Sequence, residues 1–263
     1  MYIIPAIDIL DGKVVRLREG DYNQKTEYDV SIEDMIERYQ SNGTDFIHII
    51  DLNKTVESLQ ETAAALKSIA RSGKKIMFVA TKKQAKEIVS ECAKRVNMPY
   101  ATERWLGGML TNFNTVRKSV KKMQSIDKML NDGSFDNITK KERLSLTRDK
   151  DKMEKVLGGI AQLSRIPAAV FLVDIGHEHI ALAEAKKLGI TTFGVVDTNC
   201  DPNKVDFAIP ANDDATKSIA IITNYLVAAI AEGLAERQAN KEDDNDQDDA
   251  NNDNEARSEE HTS

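Results

Sequence analysis

The feature that most constrains this chain is an alternation of short apolar runs with amphipathic segments. The runs are "DFIHIIDL" (45–52), "KKIMFVA" (74–80), "PAAVFLVDIG" (167–176) and "ITTFGVVDT" (190–198). Between and after them lie stretches whose apolar residues recur at three- and four-residue steps: 57–73, 81–97, 178–189 and, beyond a short run "VDFAIP", 213–237. Strands that are apolar throughout are buried on both faces, and parallel neighbours need a crossover between them. The expected class is therefore α/β, a parallel three-layer sandwich of the Rossmann or flavodoxin type.

The rhythm breaks in the middle. After "MPYATERWLGGML" the segment 111–130 places Phe113, Val116, Val120, Met123 and Ile126 on one stripe with lysines between them. "NDGSFDN" reads as a loop. A second helix opens at Thr139, with Glu142 three residues on, the spacing of a capping box, and stops at Gly158–Gly159. The apolar stripe looks too thin for a core, so a protruding helical hairpin is expected over 112–157.

At the other end, "MYIIPAID" and "GKVVRLRE" flank an Asp11–Gly12 turn and read as a strand–turn–strand. A helix over "SIEDMIERYQSNG" follows, capped by Ser31 and ended by Gly43. Residues 1–46 thus form a βα fragment of their own. A larger α/β body takes 47–111 and 158–237. From 238 onward the sequence is acidic and has no large apolar side chain, so disorder is expected there.

The 263 residues carry a net charge of −7, which conceals a segregation. Residues 71–155 hold 21 Lys and Arg against 10 Asp and Glu, a local excess of 11 positive charges. A cationic third within an acidic protein is the footprint of a polyanion partner. No uninterrupted apolar run reaches membrane-spanning length, and the N-terminus has no signal-peptide pattern, so no membrane is expected as a partner; DNA is not counted among the expected partners either. Cys92 and Cys200 have no metal-site spacing and read as reduced cytoplasmic thiols.

The candidate binding residues cluster in the cationic third. Lys82 and Lys83 follow a strand's C-terminal end, where α/β sheets present ligand sites. Arg104 and Trp105 offer a guanidinium and a flat ring for stacking, although Trp105 suits a core equally well. Gly107 and Gly108 permit a tight turn, and Thr111 or Asn112 can cap the next helix. Arg117, Lys118, Lys121 and Lys122 line the outer side of that helix, where they could meet phosphates or simply aid solubility. Asp174, His177, His179, Asp197 and Asp201 could gather at strand ends around a divalent ion, but ordinary caps and turns explain them better; no metal or other cofactor is expected.

"HIIDLNKT" (48–55), "GKKIMFVATKKQA" (73–85), "ERWLGGMLTNF" (103–113), "DIGHEHIA" (174–181) and "GVVDTNCDPNKVDFAIPANDDA" (194–215) occur in order, and from 47 to about 237 the chain resembles the family of the second protein of the bacterial small ribosomal subunit. The resemblance implies a non-enzymatic cytoplasmic protein that binds small-subunit ribosomal RNA beside neighbouring ribosomal proteins. The family's usual N-terminal segment, with its His–Phe–Gly–His stretch, is replaced here. In its place "IIPAIDILDGKVVRLREGDYNQKTEY" with "GTDFIHIIDL" resembles the opening of the phosphoribosylformimino aminoimidazole carboxamide ribotide isomerases, which are (β/α)₈ barrels. That likeness implies a catalytic acid–base role for Asp8. The later strands that would supply a partner acid and phosphate loops do not follow, so a chimera joined within the shared "HIIDL" string is expected, and an isomerase or its remnant is the alternative function.

Overall fold

The computed structural model describes residues 5–18, 21–44, 47–131 and 139–260. The expected loop at 131–137 lies, after Asn131, outside the described residues.

Two sheets form. The first has the order β3-β2-β1-β4, built from β1 (Ala6–Leu10), β2 (Lys13–Arg18), β3 (Asp21–Glu27) and β4 (His48–Asp51). Asp11 and Gly12 both have positive φ, 53° and 75°, which is the backbone of the tight hairpin turn between β1 and β2. The polar strand β3 escaped the sequence reading because it has no apolar face to announce it. Helix α1 (Ile32–Ser41) starts where the Ser31 side chain accepts from Asp34 N, and crosses over so that β4 lies parallel to β1. The "HIID" run was expected to open the main sheet. Instead it is hydrogen-bonded to β1, from Ala6↔His48 to Ile9↔Asp51. Nor is it the buried strand expected, since Ile49 is 44% exposed: an apolar run does not record which edge it will join or what will cover it.

The second sheet is fully parallel, in the order β6-β5-β7-β8-β9. Its strands are β5 (Ile76–Val79), β6 (Tyr100–Ala101), β7 (Ala169–Val173), β8 (Thr191–Val196) and β9 (Phe207–Pro210). The chain runs outward from β5 to β6, returns across β5 to β7, and continues to β9, so the winding reverses between β5 and β7. Helices cover both faces. On one face Ile76, Phe78, Phe171, Val173 and Phe193 pack against α2 (Leu52–Arg71), α3 (Lys86–Arg95) and α7 (Thr216–Glu260). On the other, Met77, Val79, Val170 and Leu172 meet α4 (Phe113–Asn131), the end of α5 (Lys140–Leu157) and α6 (His179–Lys187). Alternate residues of each strand thus serve opposite layers, as period-2 geometry requires.

Three expectations change. Helix α2 begins at Leu52, five residues before the expected Glu57, because the Asp51 side chain accepts from Asn53 N and Lys54 N and caps it there. The stripe on α4 is not too thin to bury: Phe113, Val120, Met123 and Ile126 are all buried, the first three in the cluster over the second sheet face, with α4 packed along α5. Helix α5 answers better to the polar reading; of its residues only Leu157 is buried, and Lys150 pairs with Asp127 of α4 at 2.6 Å. Finally, the segment from 238 was expected to be disordered, whereas α7 continues to Glu260. No Gly or Pro follows Gly233 in that helix, and extending an existing helix avoids the cost of nucleation. The portion Thr216–Asn240 is long and apolar enough to cross a membrane, yet Ile219, Ile222, Leu226, Val227 and Ile230 lie in the core.

One carboxylate organises the second helical layer. Glu184 of α6 is buried, and five donors converge on it from the loop between β6 and α4. Its Oε1 accepts from Trp105 Nε1 at 3.1 Å and Gly108 N at 2.7 Å; its Oε2 accepts from Leu110 N and Thr111 N at 3.0 Å and from Thr111 Oγ1 at 3.1 Å. Gly108, at φ 89°, turns the backbone so that these N–H groups point inward. Burial alone would push the Glu184 carboxyl up, but the N–H groups of Thr111, Gly108 and Leu110 and the Trp105 indole outweigh it and hold it below the usual carboxylate range.

Glu184→Ala leaves several buried donors unpaired and should cost about 3–5 kcal/mol of unfolding free energy. Glu184→Gln should cost about 2–3 kcal/mol, because its amide NH₂ faces other donors. Since the folded-state pKa is depressed, this stabilisation is present above the ordinary carboxylate range and is lost as pH falls through the folded value. Denaturant melts of parent and Glu184→Gln should therefore converge on acidification; a constant gap down to acid pH would contradict the assignment.

Candidate nucleic-acid interface

The C-terminal ends of the parallel strands are where this fold class offers a ligand crevice, deepest where the winding reverses. Here that crevice lies beyond β5 and β7, and an ion-pair network ties the loops beside it. Lys82 Nζ lies 2.8 Å from Asp174 Oδ2, 2.7 Å from Asp213 Oδ1 and 2.6 Å from Asp214 Oδ1. Its side chain is 17% exposed, and that of Asp213 1%. Burial disfavours the ammonium, but the three carboxylates outweigh that and raise the Lys82 pKa. The same contest lowers Asp174, where hydrogen bonds from Lys82 and His177 N prevail over burial. It raises Asp213, where burial and the charges of Asp174 and Asp197 prevail. Beside this network Glu178 Oε1 accepts from both the backbone N–H and the hydroxyl of Thr81, each at 2.6 Å, so the loop after β5 is fixed on both sides of its turn.

Lys82 is thus a structural cation and not a free one. Its neighbour Lys83 is exposed, and among the described residues it has no ion-pair partner. Trp105 is 8% exposed and donates to Glu184, so its ring is core and does not form a stacking platform. Arg104 beside it is exposed. Thr111 gives its hydroxyl to Glu184, while Asn112 is exposed and its carbonyl accepts from Thr115 N and Val116 N at the start of α4. Arg117 is half-buried and donates to Ser164 O, which ties α4 to the segment before β7. Lys118, Lys121 and Lys122 are exposed on the same helix and unpaired among the described residues. The surviving cationic surface therefore comprises Lys83 and Arg104 at the strand ends and Lys118, Lys121 and Lys122 on α4. The sequence could not separate these from Lys82 and Arg117, because their partners lie far along the chain.

Asp174, Asp197 and Asp201, which with His177 and His179 could have gathered around a divalent ion, are engaged in local turns and caps. Asp174 Oδ1 accepts from Gly176 N and His177 N, Asp197 Oδ1 from Thr198 N, and Asp201 Oδ1 from Asn203 N. Among the described residues no three metal-ligating side chains converge. Asp8 sits mid-strand in β1, between Val15 of β2 and Ile50 of β4.

Comparison with known proteins places this geometry. Residues 25–233 match the family model of ribosomal protein S2, beginning earlier than the expected start near 47. A small ribosomal subunit protein uS2 of Cytophaga hutchinsonii is 63% identical over 204 residues, covering 78% of this chain and 79% of the relative. The protein of that name from Bacteroides thetaiotaomicron is 59% identical over 197 residues, covering 75% and 71%. The one from Porphyromonas gingivalis is 58% identical over 195 residues, covering 74% and 69%. With a match of this extent and identity, the chain belongs to the ribosomal protein S2 family.

Proposed function

We propose that this chain is a non-enzymatic structural component of the small ribosomal subunit. In this reading it binds ribosomal RNA, contacts neighbouring subunit proteins and contributes to subunit assembly in the cytoplasm. The observation that carries the reading is the 63% identity to a small ribosomal subunit protein uS2 over most of both chains. The exposed cations Lys83, Arg104, Lys118, Lys121 and Lys122, with Asn112 among them, are the RNA-facing group. Lys82, Trp105 and Arg117 act behind them as supports. The Lys82 network ties the loops after β5, β7 and β9 together and holds this cationic surface in place.

In organisation, we read 1–46 as a separate βα fragment, 47–111 and 158–237 as the α/β body, 112–157 as a helical insertion and the residues from 238 as an acidic extension. The isomerase-type origin of the first fragment, with a join at "HIIDL", rests on the likeness of its opening sequence alone; the S2 family match begins at residue 25 and runs across that string. Asp8 without a partner acid or a phosphate clamp supports no isomerisation chemistry.

Three variants test the reading. Replacing Lys118, Lys121 and Lys122 with glutamine should weaken binding to small-subunit RNA and flatten the dependence of log affinity on log salt by roughly one unit per lost phosphate contact. Lys82→Ala and Trp105→Ala should act on folding instead, each costing about 3–5 kcal/mol: the first strands buried carboxylates, and the second leaves a cavity. Salt-titrated RNA binding and chemical denaturation on the same preparations separate the two effects. Parental affinity and slope in the triple-glutamine variant would remove α4 from the interface.

A further inference from the structure

The loops after β7 and β8 enclose a second cavity, of about 380 Å³, within the size range of small-ligand sites. It lies outside the cationic third. Its lining falls into two kinds. Ile175, Leu182, Ala183 and Cys200 form an apolar part, while His179, Lys186, Lys204 and Asn199 supply polar and cationic groups. No carboxylate lines it. That is notable in a stretch where acids outnumber bases: residues 156–240 hold 6 Lys and Arg against 10 Asp and Glu, and two of the six cations meet at this cavity. The nearby acids are engaged elsewhere, Asp174 with Lys82 and the turn at Gly176, and Asp201 with the backbone and side-chain nitrogens of Asn203. Lys186 and Lys204 are exposed and have no ion-pair partner among the described residues. His179 is fixed by its Nδ1 contact to Gly176 O at 3.2 Å. Burial, reinforced by the charge of Asp174, pushes the Cys200 thiol up, so it stays uncharged at neutral pH and belongs with the apolar part.

We propose that this cavity is a nucleotide pocket for an unpaired residue of the bound RNA. A base would lie on Ile175, Leu182 and Cys200, and its phosphate would be held by Lys186 and Lys204. Apolar floor and cationic rim in one cavity match the two halves of a nucleotide, and RNA is read chiefly through unstacked bases of this kind. The inference rests on the RNA-binding reading of the chain and adds a second contact region, on α6 and the β8–β9 loop, to the one on α4.

Cys200 supplies a reporter inside the pocket. Of the two cysteines Cys92 is buried and Cys200 is partly accessible, so a small alkylating reagent at mildly alkaline pH reads Cys200. The test alkylates the full-length protein with and without saturating small-subunit RNA. It also measures salt-dependent RNA binding of parent, Lys186→Gln/Lys204→Gln and the triple-glutamine α4 variant. The expected result is slower Cys200 alkylation with RNA, together with a salt slope reduced by about 1.5–2 in the double variant. Both are required. Undiminished alkylation at saturating RNA, or a parental slope in the double variant, overturns the pocket even where the α4 variant binds more weakly. If neither variant differs from the parent, the RNA-binding reading of these surfaces falls as well. The parent's alkylation readout does not depend on the folding of any variant.

Discussion

The second helical layer depends on the meeting of Glu184 with the loop between β6 and α4. A carboxylate buried in an apolar layer is costly when alone, and so are unpaired backbone N–H groups beside it. Each cancels the other's cost only when α6 and residues 105–111 sit in one relative position. That position lays Trp105, Met109, Leu110 and Phe113 over the sheet and sets the angle at which α4 leaves it. The outward direction of Lys118, Lys121 and Lys122 follows from it. A surface charge pattern is thereby fixed by one buried acid.

The Lys82 network does the corresponding work at the strand ends. In a doubly wound sheet the reversal point between two strands opens a crevice, and many proteins of this architecture place a cofactor there. In this chain a lysine from the loop after β5 meets Asp174 from the loop after β7 and Asp213 from the loop after β9. The ion pairs bolt three loops together beside the crevice. Under the RNA-binding reading, the same scaffold that elsewhere builds an internal site is here a rigid mount for external cations. Architecture and function separate at this point.

Much of the local structure was legible in the sequence because it depends on neighbours along the chain. The Asp11–Gly12 turn, the Ser31 cap, the Thr139–Glu142 cap and the strands β5, β7, β8 and β9 with their helices follow from local pattern, whereas the two-residue β6 is too short to show one. The errors share a cause. Strand β4 was recognised, but its partner was not, because an apolar run carries no record of which edge it will join. Strand β3 was missed for want of an apolar face. The stripe on α4 looked thin because the groups that cover it, among them those of α5, come from other parts of the chain. The start of α2 was misplaced because Asp51 was read as the end of a strand and not as a cap.

The sequence by itself determined the period of most elements, the segregation of charge into residues 71–155 and the motif "RWLGGMLTNF" on which the family resemblance rests. These are properties of adjacent residues, and composition and spacing encode them directly. Only the tertiary structure decided which cations are available. Lys82 and Lys83 are neighbours of identical chemistry, yet one is enclosed by Asp174 and Asp213 and the other faces solvent. Trp105 and Arg104 divide in the same way, one taken by Glu184 and the other exposed. The carboxylates that make the difference lie about ninety residues away or more for Lys82 and nearly eighty for Trp105. Availability is set by a long-range electrostatic partner, and a partner exists only once the chain has closed on itself.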